Sequence, residues 1–551
     1  MARDEAPEGE FSIWKPIKKS IWTLSGGYYA ATYIPDSHDP LGAAVAETVR
    51  HGPFFLMIRD IWVCITMFTL FPGVVTPFWS SSPDDEFYMG SYRNVAGVCL
   101  LGFASCFGVL LVIVCIPLFM FLPGPVSALV FVTGQVLLHL LCFPLQGPSQ
   151  VWSKRPEDSE TIQKHARNAN ERWFFLNGCC VSGYNLQQNV DLLSRTFGRP
   201  VFAIHNRTYG VLGDLFECIL QRSFNLFTEE TRVCYEYVKA YCTDPEVKKV
   251  VLIAHSQGCI MASQILDQLY VDIPASAVSK LEVYTFGNAA SHFNNPLRTM
   301  SQTPTIDARD AMDGLFLPTK ETGTKPKVKE VLPERIIPYI EHYCNSEDMV
   351  TRWGALYSAK QILQNRFCGH IFINDGQSGH MLNQHYLSKM FPIPEKREKM
   401  VNGVDEENGA VNGRVTGQVP FLDRVIRLDT ATVTQRKQQA VHQLAIMRHD
   451  SALQDYDDHS HSALKSAVND IHCSMSASGI TEQDLDEKLN LRLGEGKMLT
   501  SKDLSGAEGS RISVVHNHTY DDVPSGRTVR QLSRLWRYMD GADPDSRHWV
   551  K

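Results

Sequence analysis

The sequence predicts an α/β protein: a mainly parallel sheet with helices on both faces, preceded by transmembrane helices and followed by a mostly disordered polar tail. Three observations predict this. Between residues 165 and 395, short β-branched or aromatic runs alternate with helix-length segments, the order that builds a parallel sheet through helical crossovers. Residues 96–121 and 125–145 contain no Asp, Glu, Lys or Arg, and each run reaches the roughly 20 residues that span a bilayer. Residues 401–551 hold only six of the chain's aromatic residues, too few for a second core, so this region reads as mostly disordered.

The elements follow in order. RWFFL (172–176) reads as a strand and Asn177-Gly178-Cys179 as the turn after it. The helix NLQQNVDLLSRTF leads to the strand PVFAIHN, and a long helical stretch from Asp214 to Tyr241 leads to the run Val250–Ile253. A helix after Gly258 leads to KLEVYTFGNAA. Strands over Ile336–Tyr343 and Phe367–Ile373 complete the sheet, and His380 opens the apolar-periodic helix MLNQHYLSKMF. Such a core needs about 200–250 residues, which 165–395 supplies. Residues 293–331 interrupt the rhythm with prolines and charges, a pattern that fits a lid or a disordered loop.

Chemistry concentrates at KKVVLIAHSQGCIMASQILD (248–267), where an apolar strand runs into Ala-His-Ser-Gln-Gly and then a helix. That order places Ser256 on a strained strand-to-helix turn of the G-x-S-x-G kind, with Ala254 in the place of the first glycine. A serine hydroxyl is a weak nucleophile without a base and an acid to orient that base. Asp348 and His380 each follow a strand, in the chain order such a triad needs. Asp375 competes for the acid role, but lies only five residues from His380. His370 and His385 read as packing residues, and His255 as lining rather than base, because adjacent side chains diverge at a sharp turn. The oxyanion donors would be the N–H of Gln257 and, from the loop after the 172–176 strand, that of Cys179. No metal-binding cysteine motif appears, and no cofactor is expected.

The segments IHNRTYG, VVLIAHSQG, LEVYTFGNAA, IEHYCNSEDMV and SGHMLNQHYL resemble fungal α/β-hydrolases of the lipase or serine esterase type. The likeness runs from about Arg172 to Pro394. It implies an α/β-hydrolase fold, Ser256, Asp348 and His380 as catalytic residues, and ester hydrolysis without a particular substrate; an inactive adaptor and a thioesterase or small-ester hydrolase are the alternatives. The domain expectation is a polar segment over 1–55, a membrane region with two or three apolar helices over 56–146, the hydrolase domain over 165–395, and a polar region over 396–551 with short helices near Thr434–Arg448 and Val529–Met539.

The third apolar stretch, Ile61–Trp79, is interrupted by Pro72 and Pro77 and abutted by Arg59 and Asp60. Residues 1–53 are polar and precede every apolar run, so no cleavable signal peptide is expected. Lys154, Arg155, Lys164, Arg167 and Arg172 follow the hairpin, whereas Asp84, Asp85 and Glu86 precede it. The positive-inside rule then expects a cytosolic hydrolase domain on an intracellular membrane and a luminal acidic loop, which requires an even number of crossings from a cytosolic N-terminus or else a luminal N-terminus; three spans from a cytosolic N-terminus would put the domain outside. Fourteen cysteines without paired spacing do not read as a disulfide framework. Sequons occur at Asn206 and Asn517, though a glycan at Asn206 would crowd a strand end. A net charge of −7 and the absence of basic, aromatic-interleaved clusters give nucleic-acid binding no support. The expected partners are a bilayer and a lipid or other ester.

Overall fold

The computed structural model describes residues 30–36, 51–156, 158–296, 335–360, 367–393, 419–433 and 526–546, with two dipeptides at 492–493 and 497–498. The strands of the main sheet are β1 (Ala30–Ile34), β2 (Gln150–Trp152), β3 (Glu171–Leu176), β4 (Val201–Ile204), β5 (Lys249–His255), β6 (Leu281–Phe286), β7 (Tyr339–Asn345), β8 (His370–Asn374) and β9 (Val425–Leu428). Their spatial order is β2-β4-β3-β5-β6-β7-β8-β1-β9. From β4 to β8 every neighbouring pair is parallel, while β2 and β1 join antiparallel to β4 and β8. The α/β expectation is met at this level.

Strand periodicity divides the core in two. Phe174, Leu176, Val250, Leu252 and Val283 point to one face. Trp173, Phe175, Val251, Ile253 and Tyr284 point to the other. Strands buried on both faces read as continuous apolar runs, which is why they were visible in the sequence.

The stretch predicted as one helix from Asp214 to Tyr241 is two, Gly210–Phe224 and Glu229–Thr243. Asn225 takes a left-handed conformation (φ +54°) that ends the first. Thr228 accepts the Thr231 N–H and opens the second, with Glu229 and Glu230 in its first turn. The helix expected from His380 is instead a π-helical turn over Leu382–Leu387, continued by Ser388–Met390.

The sheet also reaches beyond 165–395. β1 comes from the segment read as a polar N-terminus, β2 precedes residue 165, and β9 comes from the region read as a tail. A helical turn over Val529–Leu532 and a 3-10 helix over Leu535–Gly541 cover one face. There Tyr538 packs edge-on to Trp173 at 5.0 Å and donates to Glu282 Oε2 at 2.6 Å. Arg534 meets Glu282 at 3.2 Å, and the Glu341 carboxylate accepts the N–H groups of Arg534 and Leu535 at 2.6 and 3.1 Å. A few well-placed residues thus add partners to two buried carboxylates of β6 and β7, which also accept the Tyr284 and Tyr343 hydroxyls at 2.6 Å each. Thr434–Arg448, most of 293–331 and Asn517 lie outside the described residues.

Three segments are long and apolar enough to cross a membrane: Pro53–Val75, Tyr92–Phe121 and Gly124–Leu145. The first comprises α1 (Pro53–Met67), a 3-10 turn and α2 (Phe71–Val75). One face of α1 packs on the α/β core, where Asp60 pairs with Arg222 at 2.8 Å. The other two are α3 (Tyr92–Phe121) and α4 (Gly124–Cys142), packed as a hairpin in which Leu111 lies against Gly134 and Leu138 against Gly108.

The acidic loop between α2 and α3 does not take the place across the membrane from the core that its charge predicts. Glu86 accepts the N–H groups of Asn383 and Gln384 at 2.7 and 3.0 Å, Asp84 pairs with Arg195, and the Asp84 carbonyl accepts from the Asn383 amide at 2.7 Å. A loop in contact with the α/β core cannot lie across a bilayer from it. Its carboxylates serve as hydrogen-bond partners for the core rather than as a charge signal for the far side.

Candidate active site

Ser256 sits where β5 ends and the helix Gly258–Asp272 begins, with φ +56°. Positive φ is uncommon for a residue with a Cβ and is retained where the surroundings hold it. Here the Ser256 N–H donates to Phe286 O at 3.1 Å. Two glycines make room for the turn. A Cβ on Gly258 would lie 2.4 Å from Leu176 O, and one on Gly178 would lie 2.3 Å from the Ser256 Cβ.

Asp348 follows β7, is completely buried, and caps the short helix Met349–Trp353 by accepting the Val350 N–H at 2.9 Å. Its other oxygen accepts from His380 Nδ1 at 2.7 Å and from the Tyr386 hydroxyl at 2.7 Å. The proton on His380 is assigned to Nδ1, the nitrogen that faces the carboxylate. His380 Nε2 is buried with no hydrogen-bond partner, so it makes no bond to the Ser256 hydroxyl in this state. Such bonds are often loose without substrate. The His380 ring lies against Gly287, where a Cβ would stand 2.8 Å from Cε1. Ser256 and His380 therefore flank the same Phe286–Gly287 turn.

The competing residues have other partners. Asp375 accepts from Thr32 Oγ1 at 2.7 Å and faces Arg427 at 3.6 Å. His370 bonds Tyr33 through Nδ1 at 2.7 Å. His385 accepts the Met381 N–H at 2.9 Å, and burial pushes its pKa down to about 3. His255 bonds the His380 carbonyl through Nε2 at 2.7 Å. Burial, then the neighbouring His380, hold its pKa well below the usual histidine range, so it supports the His380 loop as a neutral ring.

The backbone N–H groups of Gln257 and Cys179 donate to no acceptor among the described residues. The Gln257 side chain is fixed by Asn206 at 2.7 Å, by Glu217 and Gln221 at 3.2 Å each, and by the Cys179 thiol at 3.2 Å. Asn177 ties the end of β3 to β4, accepting the Asn206 N–H at 2.8 Å and donating to the Asn206 carbonyl at 2.9 Å. Asn206 is buried with its amide nitrogen engaged, which leaves no room for a glycan. Among the described residues all thirteen cysteines are free, and no group of His, Cys, Asp and Glu could hold a metal ion.

Sequence reasoning missed Tyr386, Asn206, Gly287 and Glu86. Tyr386 and Asn206 lay inside quoted motifs, but nothing local showed which side chain each would meet. Glu86 had no signal beyond its charge. No family model, curated protein or solved structure matches the chain.

Burial pushes the Glu86 carboxyl up to about 7, against the opposing pull of the Asn383 and Gln384 N–H groups. Its unfolded value is about 4.3, so the native state binds the proton more tightly. The stability this contributes is complete below about pH 4.3 and is lost as pH rises to about 7. In Glu86→Gln, the decline in unfolding free energy across that window should be shallower, by up to about 1.4 kcal/mol per pH unit. Denaturant titrations of the full chain in detergent at several pH values measure it, and equal slopes would refute it. Glu217 and Glu341, also raised to about 7, contribute slopes of the same sign in both proteins.

Proposed function

We propose that this chain is a membrane-anchored serine hydrolase of the α/β-hydrolase type that cleaves carboxylic esters, lipid esters foremost. The observation that carries the reading is the buried Asp348–His380 pair, which leaves Nε2 without a partner and packs on the same Phe286–Gly287 turn to which a serine held at positive φ is bonded. Ser256 Oγ attacks the ester carbonyl while His380 Nε2 takes its proton. The Gln257 and Cys179 N–H groups stabilise the oxyanion. The alcohol leaves with the proton from His380, and a water activated by the same nitrogen hydrolyses the acyl-enzyme. Asp348 holds the tautomer and offsets the imidazolium charge throughout. No cofactor enters these steps.

Lipid esters are favoured because the apolar α2 holds the His380 loop, its Val74 carbonyl accepting the His380 N–H at 3.0 Å. A cytosolic domain on an intracellular membrane is favoured by the free thiols. The resemblance to fungal lipases and serine esterases points the same way. A fluorophosphonate probe applied to the full chain in native membranes should label the peptide containing Ser256. Intact, correctly folded protein that stays unlabelled would favour the second reading, an inactive adaptor, which the unmade Ser256–His380 bond supports.

A further inference from the structure

We propose that the α3–α4 hairpin is a wedge that ends inside the hydrocarbon, so that the protein sits on one face of a membrane and binds a phospholipid monolayer over oil as well as a bilayer. This does not depend on Ser256 being a nucleophile.

Reach is the first observation. α3 still touches the α/β core at Ser105, whose hydroxyl accepts the Val211 N–H at 3.2 Å. α4 touches it again at His139, stacked on Tyr209 at 5.8 Å. From Ser105 to Phe121 is 16 positions and from Gly124 to His139 is 15. At 1.5 Å per residue these arms extend about 24 and 22 Å. The hydrocarbon core is about 30 Å thick.

The tip is the second. From Asn94 to Ser153 the chain carries no Asp, Glu, Lys or Arg, and the turn itself is Phe121-Leu122-Pro123-Gly124-Pro125. A turn that emerged into water would have no use for Met120 and Phe121, 75% and 81% exposed at its apex. Its backbone is instead satisfied locally. Leu118 O accepts both the Leu122 N–H and the Ser127 hydroxyl at 2.9 Å, and Pro123 O accepts the N–H groups of Val126 and Ser127. Two prolines remove two further donors. Internal satisfaction of polar groups is what hydrocarbon demands and water does not.

The base is the third. The loop before α3 and the chain after α4 both contact the α/β core, so both ends of the hairpin lie on one side. Phe54, Ile58, Ile61, Ile65 and Phe68 form an exposed stripe at three- and four-residue spacing along α1 and the 3-10 turn after it. The opposite face of α1 is pinned by Asp60 to Arg222. A helix with one face on the core and an apolar stripe outward fits the membrane surface rather than a third crossing. The α2 that follows holds the His380 loop, its Val74 carbonyl accepting the His380 N–H at 3.0 Å, which places the site beside that surface.

Purified full-length protein should float both with phosphatidylcholine vesicles and with triolein droplets coated by phosphatidylcholine. A hairpin that crosses two leaflets would exclude it from droplets. The double variant Phe121→Lys/Leu122→Lys should lose carbonate-resistant binding to vesicles by at least about a hundredfold, on the order expected for lysines held in hydrocarbon. A tip that reaches the far aqueous side would tolerate them. Droplet exclusion of the wild type, or wild-type retention of the double variant, overturns the proposal.

Discussion

Replacing Ser256 with alanine should remove turnover of p-nitrophenyl esters by about 10⁴–10⁶ while leaving the fold intact. The size follows from the proposed mechanism, in which the nucleophile acts as a unit with His380 and Asp348, so that its loss leaves only binding and oxyanion stabilisation. The intact fold follows from the packing. The Ser256 N–H bond to Phe286 O is made by the backbone, and an alanine methyl fits the space that the Cβ already occupies beside Gly178. Rates for the full chain in micelles, with thermal unfolding of the same samples, test both halves. Substantial residual turnover with an unchanged melting profile would remove Ser256 from the mechanism.

Asp348→Asn should lower kcat by about 10⁴, the cost expected when the carboxylate orienting a catalytic histidine becomes an amide. Both His380 Nδ1 and the Tyr386 hydroxyl donate to Asp348 Oδ2. An amide oxygen there could still accept but carries no charge to stabilise the imidazolium, and an amide nitrogen would favour the wrong tautomer. Asp375→Asn is the matched control. Asp375 faces Thr32 and Arg427, so its effect should be confined to stability, at most about 1.5–3 kcal/mol for a weakened charged hydrogen bond. If the two variants lose activity equally, the acid has been misassigned.

These assignments show what was legible in the sequence. The strand-turn-helix around Ser256 could be read because the information is local. Val250–Ala254 are buried on both faces and must be apolar, and Gly258 is required by a carbonyl only 2.4 Å from where its Cβ would be. The order of Ser256, Asp348 and His380 could be read because each lies just after a strand. Spacing already ranks Asp348 above Asp375, which lies only five residues from His380; the fold adds that Asp375 turns toward β1 and β9 while Asp348 meets His380 Nδ1.

The sequence by itself determined the alternating α/β pattern, the serine turn and the uncharged helices, because secondary-structure period, turn chemistry and membrane compatibility depend on short stretches of chain. Only the tertiary structure decided that β1 and β9 belong to the sheet, that Arg534 and Tyr538 serve Glu282, and that the acidic loop buttresses the segment after His380. Each of these joins residues far apart in the chain, and pairing a buried carboxylate depends on which distant group the fold brings near. A segment poor in aromatics looks dispensable by composition, yet it supplies the Arg534 charge and the Tyr538 hydroxyl to Glu282 and two N–H groups to Glu341.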